Sequence, residues 1–179
     1  MMETIVREVA GLMKKYGETD PLRLCKALGI KALFLGMGKR ATDCKGFYMR
    51  KARISVIVIN SDLPENIQRI VLAHELGHVI LHGNTQGMTA FHDFNLFDDT
   101  SVHEYEANLF TAEYLLPDED VLEVLNNDAF FFDAARALRV PPELLDFKFR
   151  ILKRKGYSIV PPLMASSGFL KNLDYPGEE

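Results

Sequence analysis

The amino-acid sequence predicts an α+β fold in which a small three-stranded sheet packs on helices, followed by a C-terminal helical subdomain. Short segments rich in β-branched and aromatic residues lie between residues 30 and 63, and such segments are typical of strands. Segments with apolar residues at three- and four-residue spacing precede and follow them, which is the helical period. The 179 residues are 47% hydrophobic and 26% charged, a composition typical of globular domains.

The first half of the chain gives two helices and then three strands. Apolar positions from Ile5 to Met13 predict the first helix, and "PLRLCKAL" predicts a second one that Gly29 closes. The segments "IKALFLG", "GFYMRK" and "ARISVIVINSDL" predict the strands. The third segment carries the clearest strand signal because it is densest in β-branched residues.

Capping signals delimit the two long helices that follow. Pro64 predicts the start of one helix and Gly83 its end. Residues 84–100 show no sustained period and predict a loop. Ser101 predicts the next helix, with Glu104 three residues later in capping-box spacing. Two or three further helices are expected over residues 118–155.

Charge and hydropathy exclude several classes of protein. The net charge of −4 argues against a surface built for nucleic acid or anionic membranes. No apolar run approaches the roughly 18 residues of a membrane span, and the charged N-terminal segment lacks the core of a signal peptide. Cys25 and Cys44 lack CxxC spacing, which favours free thiols. These features predict a cytoplasmic protein.

The motif HELGH, from His74 to His78, predicts a metal site. Histidines four residues apart lie one turn apart on the same helix face, so both can bind one ion. Glu75 projects about 100° away, where its carboxylate can take a proton from water at the metal. The alternative, two histidines satisfied by hydrogen bonds alone, would bury costly polar groups without a metal.

A third ligand must come from another helix. His82 lies about 12 Å along the helix axis from His74, too far to share an ion. Glu104 and Glu106 differ by about 200° of helix rotation, so only one of them can face the metal. Asn108 lies one turn after Glu104, where its amide can hold a ligand histidine, which favours Glu104 and leaves Glu106 as the alternative. The remaining candidates are His103, Asp98 and Asp99.

Two motifs in series resemble the ImmA/IrrE-type metallopeptidases. They are "ISVIVINSDLPENIQRIVLAHELGHVILH" and "EYEANLFTAEYLLP", and the likeness covers about residues 1 to 120 in the order of elements. The resemblance implies a minimal zincin (gluzincin-like) core, Zn²⁺ as cofactor, His74, His78 and Glu104 as ligands, Glu75 as catalytic base and Asn108 as their support. Thr111 and Tyr114 depart from the smaller residues expected there.

The same resemblance implies a cytoplasmic endopeptidase that cleaves a helix-turn-helix repressor, in the regulation of a mobile element or a stress response. The rival hypothesis is a zinc-stabilised regulator that binds a transcription factor without catalysis. An enzyme would also need a donor to the developing oxyanion. Candidates are His82, His92, His103, Tyr48 and Tyr105. An extended substrate would pair with an exposed edge strand, either "GFYMRK" or the strand through Val56.

The sequence divides into three predicted regions. Residues 1–122 are the expected metallopeptidase core, 123–160 a helical subdomain and 161–179 a weakly ordered tail. Two predicted helices around "RVPP" have the layout of a helix-turn-helix, but residues 128–157 carry only seven basic against four acidic side chains. Such a small excess argues against direct DNA binding.

Overall fold

The computed structural model describes residues 1–40, 42–51, 54–83, 91–93, 101–126 and 130–159. It confirms the α+β fold class, with a small sheet packed on helices. The helices are α1 (Met2–Tyr16), α2 (Pro21–Ala27), α3 (Glu65–His82), α4 (Val102–Leu115), α5 (Asp118–Asn126), α6 (Phe131–Ala137) and α7 (Pro142–Arg154). The strands are β1 (Lys31–Leu35), β2 (Gly46–Lys51), β3 (Ile54–Asn60) and β4 (Phe91–Asp93).

The sheet is mixed and has the order β1-β3-β2-β4. Strand β1 runs parallel to β3, whereas β2 is antiparallel to both β3 and β4. The three predicted strands are all present, and β4 is a short additional strand within the segment that the sequence predicts as a loop. Strand β3 lies inside the sheet, and β4 covers β2 over Gly46–Tyr48. The expectation of an exposed edge is therefore wrong for β3 and for this part of β2, and among the described residues the edge strands are β1 and β4.

Local signals in the sequence set the ends of the helices. Asp20 caps α2, its carboxylate accepting hydrogen bonds from the amides of Leu22 and Arg23. Gly17 ends α1 with a φ of 65°, a left-handed conformation that costs glycine little. At the end of α3, the guanidinium of Arg50 on β2 donates to the carbonyl of Gly83. This contact joins the sheet to the last turn of the helix.

Helix α3 lies between the sheet and the other helices. It packs on β2 and β3 and, on another side, against α4. Ile57 and Ile59 from β3, Val71 and Leu76 from α3, and Phe110 from α4 are all fully buried in one core. Residues of α7 belong to the same core, so the helices after residue 122 pack on the site-bearing part of the chain. The predicted tail from residue 161 lies outside the described residues.

Candidate metal centre

His74 and His78 bring two imidazole nitrogens together inside the protein. Both side chains are completely buried, because they lie on the part of α3 that faces α4 and the core. Their rings meet edge to face with centroids 4.8 Å apart, and the two Nε2 atoms are separated by 3.1 Å. The predicted one-turn spacing therefore places both nitrogens at one point.

Glu104 in the first turn of α4 meets the same two nitrogens. Its Oε2 lies 3.1 Å from His74 Nε2 and its Oε1 lies 3.3 Å from His78 Nε2. Burial raises the pKa of Glu104, but the hydrogen bonds and charges of the two histidines outweigh burial and leave it below its ordinary value. The carboxylate therefore stays ionised, as a metal ligand must be.

The capping box is used only in part. Ser101 caps α4 as predicted, its hydroxyl accepting a hydrogen bond from the Glu104 amide at 3.1 Å. The carboxylate of Glu104 points at the two histidines, whereas the glutamate of a complete capping box would hydrogen-bond to the backbone amide of the capping residue. Glu104 thus takes part in the helix cap through its backbone amide and in the candidate metal site through its side chain.

The donor set fits a zinc ion. His74, His78 and Glu104 form a group of the kind that holds a metal. Around zinc with bonds of about 2.0 to 2.1 Å, tetrahedral ligand atoms lie roughly 3.3 Å apart. The two imidazole nitrogens are 3.1 Å apart, and each has one Glu104 oxygen within 3.3 Å, so one ion of this size can reach all three side chains. Two imidazoles and one carboxylate are also the ligands of catalytic zinc sites that keep a position open.

The alternative ligand Glu106 faces another histidine. Its Oε2 lies 3.7 Å from His82 Nε2, at the C-terminal end of α3. The His82 ring contacts the rings of His78 and His103, with centroids 5.6 Å and 4.4 Å away. Burial, with the nearby His78 and His103, lowers the pKa of His82 to about 4, so this imidazole is neutral at neutral pH. Asp98 and Asp99, the remaining candidates, lie outside the described residues.

Glu75 follows His74 directly on α3, and Asn108 lies on α4, the helix that carries Glu104. Both side chains are fully buried. Asn108 follows Glu104 by one turn of α4, on the same helix face. Sequence reasoning missed the neighbouring Gly77, which lies against Phe110 of α4. A glycine in the middle of a helix is the signal that points to such a close approach.

Of the residues suggested as oxyanion donors, the structure brings His82 and His103 together, with ring centroids 4.4 Å apart. Tyr48 is buried on β2, and its hydroxyl lies beside Gly83 at the end of α3. Tyr105 packs against Phe147 of α7, with ring centroids 5.6 Å apart. His103 is exposed beside His82, and the side chain of His92 lies outside the described residues.

Comparison with known proteins identifies the family of this chain. The model of the peptidase M78 family, described as the IrrE N-terminal-like domain, matches residues 25–150. The chain belongs to the peptidase M78 family. The family supports a metallopeptidase-type function with a bound metal, and agrees with the resemblance to ImmA/IrrE proteins.

Two relatives support the assignment to the M78 family. The chain is 34% identical over 140 residues to "Uncharacterized immunity region protein 2" of Bacillus phage phi105, covering 78% of this chain and 85% of the relative. It is 33% identical over 118 residues to "Radiation response metalloprotease IrrE" of Deinococcus deserti, covering 66% of this chain. Only 32% of the length of that second protein is matched.

The structure accounts for both departures from the expected M78 pattern. The hydroxyl of Thr111 donates to the carbonyl of Ala107 at 2.8 Å, so it is satisfied within α4. The hydroxyl of Tyr114 donates to the carbonyl of Glu18 at 2.9 Å, which fixes the connection between α1 and α2. Neither residue is a member of the candidate metal-binding group.

The basic residues near the C-terminus are largely engaged within the protein. Lys148 and Lys155 pair with Glu113 and Asp118, and Arg154 pairs with Glu3. Most of α7 is buried, whereas a recognition helix must enter the major groove. These contacts hold α7 against α1, α4 and α5. Among the described helices none has the length and hydropathy needed to cross a bilayer.

Proposed function

We propose that this chain is a zinc-dependent endopeptidase with His74, His78 and Glu104 as its ligands. The convergence of two buried imidazole nitrogens and one carboxylate carries this proposal. A structural role alone would not explain why Glu75 is buried next to these ligands, since burying a carboxylate costs free energy. The position of Glu106 beside His82 supports Glu104 as the third ligand.

The catalytic roles follow from the chemistry of these side chains. Zinc held by the three ligands would acidify water and polarise a peptide carbonyl. Glu75, on the residue after a ligand, would accept the proton of the attacking water and then donate it to the leaving amine. Asn108 would hold the ligand helix or a ligand ring in place. An extended substrate would pair with a free sheet edge, β1 or β4.

We infer that the substrate is a helix-turn-helix repressor and that the protein acts in the cytoplasm. The resemblance to ImmA/IrrE-type peptidases supports this, as does the similarity to a phage immunity region protein. Cleavage of a repressor would switch on the genes of a mobile element or a stress response. The non-catalytic alternative keeps the zinc and the partner but has no chemical use for Glu75.

Metal content tests the ligand set. Purified wild-type protein should hold one equivalent of zinc, measured by elemental analysis after dialysis against zinc. Glu104→Ala and His74→Ala should lose it, whereas Glu106→Ala should keep it. A wild-type protein that takes up no metal would overturn the peptidase proposal, and loss of zinc in Glu106→Ala alone would overturn the choice of Glu104.

Glu75→Gln separates the enzyme from the non-catalytic regulator. This variant should keep its zinc and still bind the repressor, while peptide-bond cleavage should fall by about 10²- to 10⁴-fold because the proton acceptor is gone. Cleavage is followed by mass spectrometry of candidate helix-turn-helix repressor proteins after incubation with the zinc-loaded protein. Wild-type protein that binds the repressor without cleaving it would favour the regulator.

A further inference from the structure

Tyr105 is the residue next to Glu104, and it contacts α7. Its ring lies edge to face against Phe147, with centroids 5.6 Å apart. The guanidinium of Arg150 lies 5.9 Å from the centroid of the same ring. Tyr105 is half-buried, so this contact is part of the packing between α4 and α7.

Arg150 is itself held firmly. Its Nε donates to Asp146 Oδ2 at 2.9 Å, and a second nitrogen lies 2.7 Å from the same oxygen. The guanidinium also lies 4.9 Å from the Phe147 ring centroid. Burial lowers the pKa of Arg150, but hydrogen bonds with Tyr105 and Asp146 outweigh burial and raise it. Tyr105, Phe147 and Arg150 therefore contact one another, and we call these three residues the clamp.

The clamp lies at the first turn of α4, next to Glu104. Consecutive residues on a helix project about 100° apart, so fixing the direction of Tyr105 also fixes the direction of Glu104. A rotation that turned Glu104 away from the histidines would pull Tyr105 off Phe147. The other end of α4 has a separate attachment, where Lys148 Nζ lies 2.6 Å from Glu113 Oε2.

We propose that Tyr105 is a positioning residue, held by Phe147 and Arg150, that aims the carboxylate of Glu104 at His74 and His78. This inference rests on the proposed metal site. It assigns the C-terminal helix α7 a part in building that site, although α7 contributes no ligand of its own. Tyr105 acts through Glu104 and has no role in the chemistry itself.

Zinc affinity, measured by competition with a chelating dye, tests the clamp. All variants are compared at a temperature where circular dichroism shows each to be folded. Tyr105→Ala should weaken zinc binding by about 10- to 100-fold, the usual cost of losing a group that orients a metal ligand. Tyr105→Phe keeps the ring and should stay within about threefold of wild type, since it loses one hydrogen bond.

A second variant and a matched control keep the test decisive. Arg150→Gln changes a partly exposed side chain, so it should fold, and it should weaken zinc binding in the same direction. Lys155→Met removes contacts at the far end of α4 and should leave zinc affinity unchanged. With cobalt in place of zinc, only the clamp variants should change the visible absorption bands, because only they disturb the carboxylate ligand.

The outcomes distinguish this inference from the proposed function. If wild-type protein binds zinc and both Tyr105→Ala and Arg150→Gln bind it equally well, the clamp has no positioning role. Weakening of the same size in Lys155→Met would also overturn the inference, because general loss of packing would then explain it. If wild-type protein binds no zinc at all, the proposed function itself fails.

Discussion

At the scale of single residues, Gly77 allows the two ligand-bearing helices to pack closely. A Cβ at this position would lie 3.1 Å from Phe110 Cδ1 and 3.3 Å from its Cβ, tighter than normal van der Waals contact. Both residues are fully buried, so Phe110 has little room to move. The glycine in HELGH therefore serves helix packing, within a motif whose two histidines are the proposed metal ligands.

Gly77→Ala should destabilise the protein. Overpacking costs about 1 to 3 kcal/mol, which exceeds the gain of about 1 kcal/mol from better helix propensity. Zinc affinity should fall as well, because Phe110 lies on the helix that carries Glu104. Gly11→Ala is the matched control: nothing lies within 4 Å of its added Cβ, so it should be stabilising in urea unfolding. An equally stabilising Gly77→Ala would show that the contact is not tight.

Glu143 is a buried carboxyl group outside the metal site. It lies in the first turn of α7 with 5% of its surface exposed. Burial, together with the nearby Asp146, raises its pKa to about 7. The folded protein therefore binds a proton at this carboxyl at pH values where the unfolded chain has released it.

The free energy of unfolding should consequently fall as pH rises. Because the pKa of Glu143 is higher in the folded state, the protonated carboxyl stabilises the fold fully at pH values below its unfolded-state pKa, near 4.5. This contribution is lost as the pH rises through the folded-state pKa of about 7. Measured by urea titration, the free energy of unfolding of wild type relative to Glu143→Gln should fall by about 2 kcal/mol between pH 5 and pH 8. Glu119→Gln, at an exposed position, should show no such difference. If the difference in unfolding free energy between wild type and Glu143→Gln does not change with pH, the carboxyl of Glu143 is solvated.

At the scale of elements, ion pairs attach α7 to the end of α4 and the start of α5. Lys148 is fully buried, with Nζ 2.6 Å from Glu113 Oε2 and 2.5 Å from Asp118 Oδ1. Lys155, two turns later, contacts the same two carboxylates. Burial raises the pKa of Asp118, but the two lysines outweigh it and lower the pKa. Two cations thus balance two carboxylates between the helices.

Lys148→Met should cost more stability than Lys155→Met. Removing a buried lysine leaves its carboxylate partners without a compensating positive charge, which costs about 3 to 5 kcal/mol when no other cation is near. Lys155 remains to neutralise part of that charge, so we expect about 2 to 3 kcal/mol. The loss for Lys155→Met, whose side chain is 26% exposed, should be below about 1 kcal/mol. Equal losses in thermal unfolding would argue against this difference in burial.

The sequence predicts those elements whose limits are local. Pro64 and Gly83 delimit α3, and Ser101 begins α4, because proline, glycine and capping serine act on their own neighbours. Strand order depends on distant pairing, so the interior position of β2 could not be predicted. The three residues of β4 are too few to show an alternating pattern.

The candidate site divides in the same way. The spacing of His74 and His78 is a property of one helix and is visible in the sequence. The choice between Glu104 and Glu106 depends on how α4 is rotated against α3, which is tertiary information. The sequence could show only that both glutamates cannot face one ion. The structure brings Glu104 to the histidines and packs the neighbouring Tyr105 against Phe147 of α7, and both contacts join residues that are distant in the sequence.

At the scale of the whole molecule, the metal-binding group lies within the core that joins most elements. Residues from α1, the sheet, α3, α4 and α7 form one buried cluster, and the ligands extend from two of these helices into it. The separate helical subdomain over residues 123–160 stays a prediction, although α7 shares this core. Any change in the packing of α3 against α4 should therefore alter the free energy of unfolding of the whole chain.

Zinc should accordingly raise the melting temperature of the entire protein. A ligand that binds only the folded state at 100 times its Kd adds about 2.7 kcal/mol, which corresponds to roughly 5 to 10 °C for a chain of this size. Differential scanning calorimetry of chelator-treated protein, with and without added zinc, measures this shift as a single transition. Glu106→Ala should retain the shift, whereas His74→Ala should melt at the same temperature in both conditions. A shift that persists in His74→Ala would place the bound zinc elsewhere, and would separate the stability of this fold from the HELGH helix.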